Sequence, residues 1–94
     1  MTFAGIEPPN SINETEARWL HGELLRGVPR EPQVQAALKI QRGWEQGVDV
    51  ELGVDEKRAV VAVVNEAALP SNVTSEALRW LQQNMRRSLG EDVH

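Results

Sequence analysis

The sequence predicts an all-α domain, a small bundle of about four helices, on three observations. Apolar residues recur at helical spacing in several separate stretches. Prolines and glycines divide those stretches at positions typical of helix ends. The 94 residues are 40% hydrophobic and 26% charged, a composition typical of one globular domain. We therefore expect an extended N-terminal segment over residues 1–11, followed by a single helical domain over residues 12–94.

The N-terminal segment, residues 1–11, shows no regular hydrophobic period. Its Pro8-Pro9 pair favours extended backbone. Phe3 and Ile6 are the side chains through which this segment would dock on the helical body. A frayed tail is the alternative, because chain ends are ordered only where such contacts hold them.

The first helix is predicted over residues 14–26. Asn13 and Glu16 have the spacing of a capping box, in which each side chain accepts a hydrogen bond from the other residue's backbone. Gly27 stands where a left-handed residue ends a helix, and Pro29 prevents continuation. The expected buried stripe consists of Ala17, Leu20, Leu24 and Val28.

The second helix is predicted over residues 32–46. Pro32 suits a first helical position, and Gly47 is placed to end the helix. Gly43 costs about 1 kcal/mol relative to alanine inside a helix, which favours a close crossing by another helix at this point. One side of this helix carries the apolar stripe, flanked by Ile40: Val34, Ala37, Leu38, Gln41 and Trp44.

Two structures compete for residues 48–64. Residues 48–54, VDVELGV, alternate as a strand does, and four of the five residues in 60–64 are valine. A β-hairpin over 48–64 would make the fold α+β. We favour a third helix over residues 55–68, because its acidic start suits a helix N-terminus and NEAAL continues it with helix formers.

The fourth helix is predicted over residues 75–89. Thr74 has the position of its N-cap, and Gly90 that of its end. Arg86 and Arg87 in the last turn oppose the negative end of the helix dipole. The expected buried stripe consists of Ala77, Leu78, Leu81, Met85 and Leu89.

The residue inventory indicates a protein that is not an enzyme. The chain has no cysteine, two histidines and no glycine-rich phosphate loop. His21 has no carboxylate at the HExxH spacing of a zinc site, and the serines lack a nucleophile motif. We therefore expect no cofactor and no metal.

The net charge and the hydropathy of the chain disfavour two classes of partner, nucleic acids and membranes. The net charge is −4, which disfavours the phosphate backbone of nucleic acids. Residues 1–11 lack the basic start and apolar run of a secretory signal, and the apolar run at 59–64 is too short to span a membrane. The expected location is the cytoplasm, with no membrane partner.

Three tryptophans carry the main functional prediction. Trp19, Trp44 and Trp80 lie on three different predicted helices, each at the edge of an apolar stripe. There they either complete the rim of the core or anchor a partner, as tryptophan often does in interfaces. With Arg79 beside Trp80, they predict a protein–protein interaction module: an adaptor, inhibitor or accessory subunit. The wide apolar faces of the second and third helices favour self-association, as a homodimer.

The alternative function is a helix-turn-helix DNA-binding regulator formed by residues 55–89. Its second helix would offer Thr74, Ser75 and Arg79 to base edges, while Arg86 and Arg87 contact the backbone. Residues 55–94 carry five basic against six acidic side chains, a net charge of −1 that makes this alternative weaker.

Overall fold

Four helices form the structure, a computed structural model that describes residues 1–66 and 75–90. They are α1 (Glu14–Leu24), α2 (Glu31–Gln46), α3 (Val54–Glu66) and α4 (Ser75–Ser88). Helices α1, α2 and α3 pack against one another, and α4 packs on α3. The predicted all-α class is confirmed. Across the described residues, β-structure is limited to two isolated bridges.

The predicted capping box begins α1. Asn13 Oδ1 accepts from the Glu16 backbone N–H at 2.8 Å, and Glu16 Oε1 accepts from the Asn13 N–H at 2.8 Å. The helix ends at Leu24, two residues before the predicted end. Because the helical period stops there, Val28 does not continue the buried stripe and is 96% exposed. That part of the prediction was wrong.

Gln33, the third residue of α2, caps the start of this helix and also bonds to the end of α1. Gln33 Oε1 accepts from the Arg30 N–H at 2.8 Å, and Gln33 Nε2 donates to the Leu24 carbonyl at 3.4 Å. Gly47 ends α2 in the left-handed conformation, as predicted. The prediction was wrong for Leu38, which is half exposed. The buried residues of α2 are Ala36, Ala37, Ile40 and Gly43.

Gly43 is a point of close packing between α2 and the rest of the chain. A Cβ at this position would lie 2.6 Å from Val50 Cγ2 and 2.9 Å from Met1 Cε. The close approach predicted from this glycine is therefore present. Its partners, however, are the loop after α2 and the N-terminal segment, not another helix.

The N-terminal segment is part of the core, with Phe3 and Ile6 both buried. Its backbone bridges Thr2 to Ser11 in antiparallel fashion and Phe3 to Val50 in parallel. Hydrogen bonds from the Ala4 N–H to the Val50 carbonyl and from the Val50 N–H to the Thr2 carbonyl, each 2.8 Å, fix the second bridge. The segment is thus held between the chain before α1 and the loop after α2.

The hairpin alternative for residues 48–64 was wrong. The alternation in 48–52 does reflect extended backbone, because Val50 and Leu52 are buried while Asp49 and Glu51 are exposed. Its backbone partner is Phe3, however, and the valine-rich stretch lies in α3. Residues 67–68 of the predicted third helix lie outside the described residues.

Two glycine-to-alanine substitutions are expected to change stability in opposite directions. In Gly43→Ala, the clash with Val50 should cost about 1–3 kcal/mol, more than the gain of about 1 kcal/mol in helix propensity. Gly22 lies in α1, and a Cβ added to it would meet no atom within 4 Å, so Gly22→Ala should stabilise by about 0.5–1 kcal/mol. Urea unfolding measures both. A Gly43→Ala variant as stable as the wild type would contradict the tight packing of α2 on Val50.

Candidate functional site

Helix α4 presents one continuous polar and aromatic surface to solvent. Trp80 lies at one edge of this surface with 44% of its area exposed. We call this surface the α4 outer face; its exposed members are Glu76, Arg79, Trp80, Gln83, Arg86 and Arg87.

The opposite side of α4 is held firmly by the core. Leu78, Leu81 and Met85 are completely buried, as predicted. Two side-chain amides add directional bonds: Asn84 Nδ2 donates to the Pro9 carbonyl at 3.0 Å, and Gln82 Nε2 donates to the Val61 carbonyl at 3.1 Å. The rotation of α4 about its axis is thereby set, and so is the outward direction of Trp80.

Charge is unevenly distributed between α4 and the rest of the chain. Helix α4 contains three arginines and one glutamate, a net charge of +2. The other residues contain seven basic and thirteen acidic side chains, a net charge of −6. The α4 outer face is therefore a basic, aromatic surface on an acidic protein.

Trp44 lies in an open groove between α1 and α2, with a volume of about 580 Å³. The guanidinium carbon of Arg18 is 5.5 Å from the Trp44 ring centroid, and the His21 ring meets Trp44 edge-on at 5.3 Å between centroids. Arg18 also pairs with Glu14 at 2.9 Å. Side chains of this same chain thus already engage Trp44. The groove is lined by Glu14, Arg18, His21, Gln41, Trp44 and Glu45.

The three tryptophans do not form one surface. Trp19 is half-buried against the core, and helical spacing puts it on the opposite edge of the buried face of α1 from Arg18 and His21. Trp80 is the most exposed of the three. Of the residues predicted for DNA contact, Thr74 and the side chain of Ser75 lie outside the described residues.

A second groove, with a volume of about 370 Å³, lies where the N-termini of α2 and α3 meet. We call it the acidic groove, because three of its lining residues are carboxylates and no cation is among them. The sequence did not predict it, since it depends on how two distant helix starts are packed together. Its lining residues are Glu31, Pro32, Gln35, Gly53, Asp55 and Glu56.

Two hydrogen bonds fix the side chain of Glu56 in the lining of the acidic groove. Its Oε1 accepts from the Gly53 N–H at 2.6 Å, which caps the start of α3, and from Lys39 Nζ at 2.7 Å, which ties α3 to α2. Burial alone would raise the pKa of this carboxyl. The hydrogen bonds from Lys39 and Gly53 and the charge of Lys39 outweigh burial and hold the pKa below its ordinary value of 4.5.

Residues 1–66 and 75–90 hold no metal-binding cluster, because no three of their histidine, cysteine or acidic side chains are grouped so as to bind an ion. None of the helices in this part of the chain is long and apolar enough to cross a membrane. No protein-family model matches the sequence, and no curated protein and no solved structure is significantly similar to it. Function must therefore be inferred from the geometry of the chain itself.

Glu56→Gln is expected to lower stability by about 1–2 kcal/mol at pH 7, because Lys39 loses its carboxylate partner and the Gly53 N–H then donates to a neutral oxygen. The folded-state pKa is lower than the unfolded value of 4.5. The stabilisation is therefore complete well above pH 4.5 and is lost as the pH falls through the folded-state pKa.

Urea unfolding of the wild type and Glu56→Gln between pH 3 and pH 7 measures this difference, which should shrink on acidification. Glu51→Gln is the control, since Glu51 is an exposed carboxylate of the preceding loop. It should change stability by less than about 0.5 kcal/mol. An equal loss in both variants would contradict the capping role of Glu56.

Proposed function

We propose that this protein is a non-catalytic docking module, an adaptor, inhibitor or accessory subunit, that binds a partner protein through the α4 outer face. The observation that carries the proposal is the exposure of Trp80. Its helix is already anchored by Leu78, Leu81 and Met85, so Trp80 is not needed to attach α4 to the core. A cytoplasmic location remains part of this proposal.

The energetics favour a binding role for this side chain. An aromatic residue buries about 150–250 Å², so covering the 44% of Trp80 that is exposed contributes about 2 kcal/mol at roughly 25 cal/mol per Å². Tryptophan and arginine are the residues most enriched at interface hot spots. Arg79 is adjacent to Trp80, and Arg86 lies two turns beyond Arg79 on the same side of the helix.

The basic character of the surface defines the kind of partner. The +2 charge of α4 favours a partner whose surface is acidic, because complementary potentials speed encounter and select orientation. A second copy of this chain meets that description, since its residues outside α4 sum to −6. The homodimer expected from the sequence therefore remains a proposal consistent with this charge distribution.

Loss of partner capture is the expected result of Trp80→Ala. Truncating a hot-spot residue costs about 2 kcal/mol or more, roughly 30-fold in affinity. Immobilised wild type and variants would be used to capture proteins from the native host, and the affinity of each captured protein would then be measured after purification. Arg79→Ala should weaken the same complex to a lesser extent.

Leu38→Ala and Arg42→Ala are the matched controls. They remove an exposed apolar residue and an exposed arginine from α2, and they should leave capture unchanged. The proposal fails if every partner binds Trp80→Ala as well as it binds the wild type.

DNA binding is the second candidate, favoured by the exposure of Arg79, Arg86 and Arg87 on one helix. Glu76 is exposed in the first turn of α4, where a recognition helix meets phosphates and bases, and opposes this function. We expect no retention on mixed-sequence duplex DNA at low salt. Binding that falls steeply with salt, with a sequence preference relaxed by Arg79→Ala, would establish DNA binding instead.

A further inference from the structure

We propose that the α4 outer face docks into the acidic groove of a second copy of this chain, with Trp80 entering between the N-termini of α2 and α3. This inference rests on the proposed function, because it names the partner of the same face. Three properties of the groove carry it: its charge, its shape, and two carboxylates that remain exposed.

Charge distinguishes the acidic groove from two other grooves on the described residues. Its lining carries Glu31, Asp55 and Glu56 for a net charge of −3, or −2 when Lys39 is counted with Glu56. The Trp44 groove carries two glutamates and one arginine, a net charge of −1. A third groove, of about 600 Å³ along α3, carries two arginines, one aspartate and one glutamate and is neutral. The acidic groove is the best match for the +2 charge of α4.

Shape and apolar content suit an indole ring. The volume of about 370 Å³ lies at the lower end of the roughly 300–1,000 Å³ range of small-ligand pockets, which is appropriate to one inserted side chain. Pro32 and Gly53 supply apolar lining. Val54, next to Gly53 in the chain, is 56% exposed. The acidic groove is thus a concave site with apolar surface beside it, as insertion of the Trp80 ring requires.

Two carboxylates of the groove remain exposed and are available to pair with the arginines of α4. Glu56 is committed to Lys39 and Gly53, whereas Glu31 and Asp55 are exposed on the starts of two different helices. Arg79 and Arg86 are seven residues apart, about 10.5 Å along α4. Exposed ion pairs each strengthen binding by at most about fivefold, so they orient the complex while burial of Trp80 supplies most of the affinity.

Every copy carries both surfaces, which determines the possible assemblies. If the two contacts are reciprocal, they close a two-fold dimer, which is the assembly expected from the sequence. If they are not reciprocal, they form a ring or an open chain. In either case, one copy's face binds another copy's groove, and this unlike pairing is what the experiment tests.

Two variants test the α4 outer face and the acidic groove separately. The face variant combines Trp80→Ala with Arg79→Gln, and the groove variant combines Glu31→Gln with Asp55→Asn. Sedimentation velocity over a concentration series should show that each variant alone associates at least about tenfold more weakly than the wild type, equivalent to about 1.4 kcal/mol. Raising the salt concentration should weaken wild-type association.

Mixing the two variants is the decisive measurement. The face variant keeps an intact groove and the groove variant keeps an intact face, so the mixture should form a one-to-one complex that neither variant forms alone. Circular dichroism and thermal unfolding of each variant establish that both are folded. Val48→Ala, which changes an exposed apolar residue of the loop after α2, should associate as the wild type does.

Three results would overturn the inference: a wild type that is monomeric at every concentration, a groove variant that associates normally, or a mixture without a mixed complex. Normal association of the groove variant combined with loss in the face variant would indicate that α4 binds α4. In each case, the proposed function would still hold if capture of another protein depended on Trp80. The proposed function fails separately, when capture does not depend on Trp80.

Discussion

The close approach of α2 to Val50 and Met1 at Gly43 is the constraint on which the rest of the structure depends. Without a side chain at Gly43, the loop after α2 lies flat against the helix, and Val50 can receive the N-terminal segment as a bridge partner. That bridge buries Phe3. The same segment carries the Pro9 carbonyl, to which Asn84 of α4 donates. The outward direction of Trp80 is therefore connected, through a few contacts, to one glycine in a different helix.

The helices could be predicted because the interactions that start and end them are local. The Asn13–Glu16 box and Gly47 act within four residues of their own position, and local sequence carries that information. The pairing of Phe3 with Val50 could not be predicted, because a single bridge leaves too short a pattern to identify its partner. Leu38 was predicted on the wrong side of α2 for a related reason. The contact of Gly43 with Val50 and Met1, and not the hydrophobicity of the side chains, determines which face of α2 is buried.

The candidate site likewise has one part that could be predicted from the sequence and one part that could not. The exposure of Arg79 follows from the amphipathic pattern of α4, whereas the sequence left open whether Trp80 completes the core or anchors a partner. The acidic groove depends on the packing of α2 against α3 and on the bond between Lys39 and Glu56, seventeen residues apart. Nothing in either helix alone indicates that contact. The exposed polar residues of a single helix could be predicted from the sequence, whereas a surface shared by two helices could not.

The docked N-terminal segment also determines the order in which the chain can assemble. Its residues are synthesised before Val50 and Asn84, to which they bond; the Asn84–Pro9 bond spans 75 positions. Helices α1 to α3 contain mostly local contacts, which form quickly, while such distant contacts form late. During synthesis, Phe3 therefore lacks its bridge partner Val50 until the loop after α2 has emerged from the ribosome. For that interval, the nascent chain exposes an apolar segment of the kind that chaperones bind.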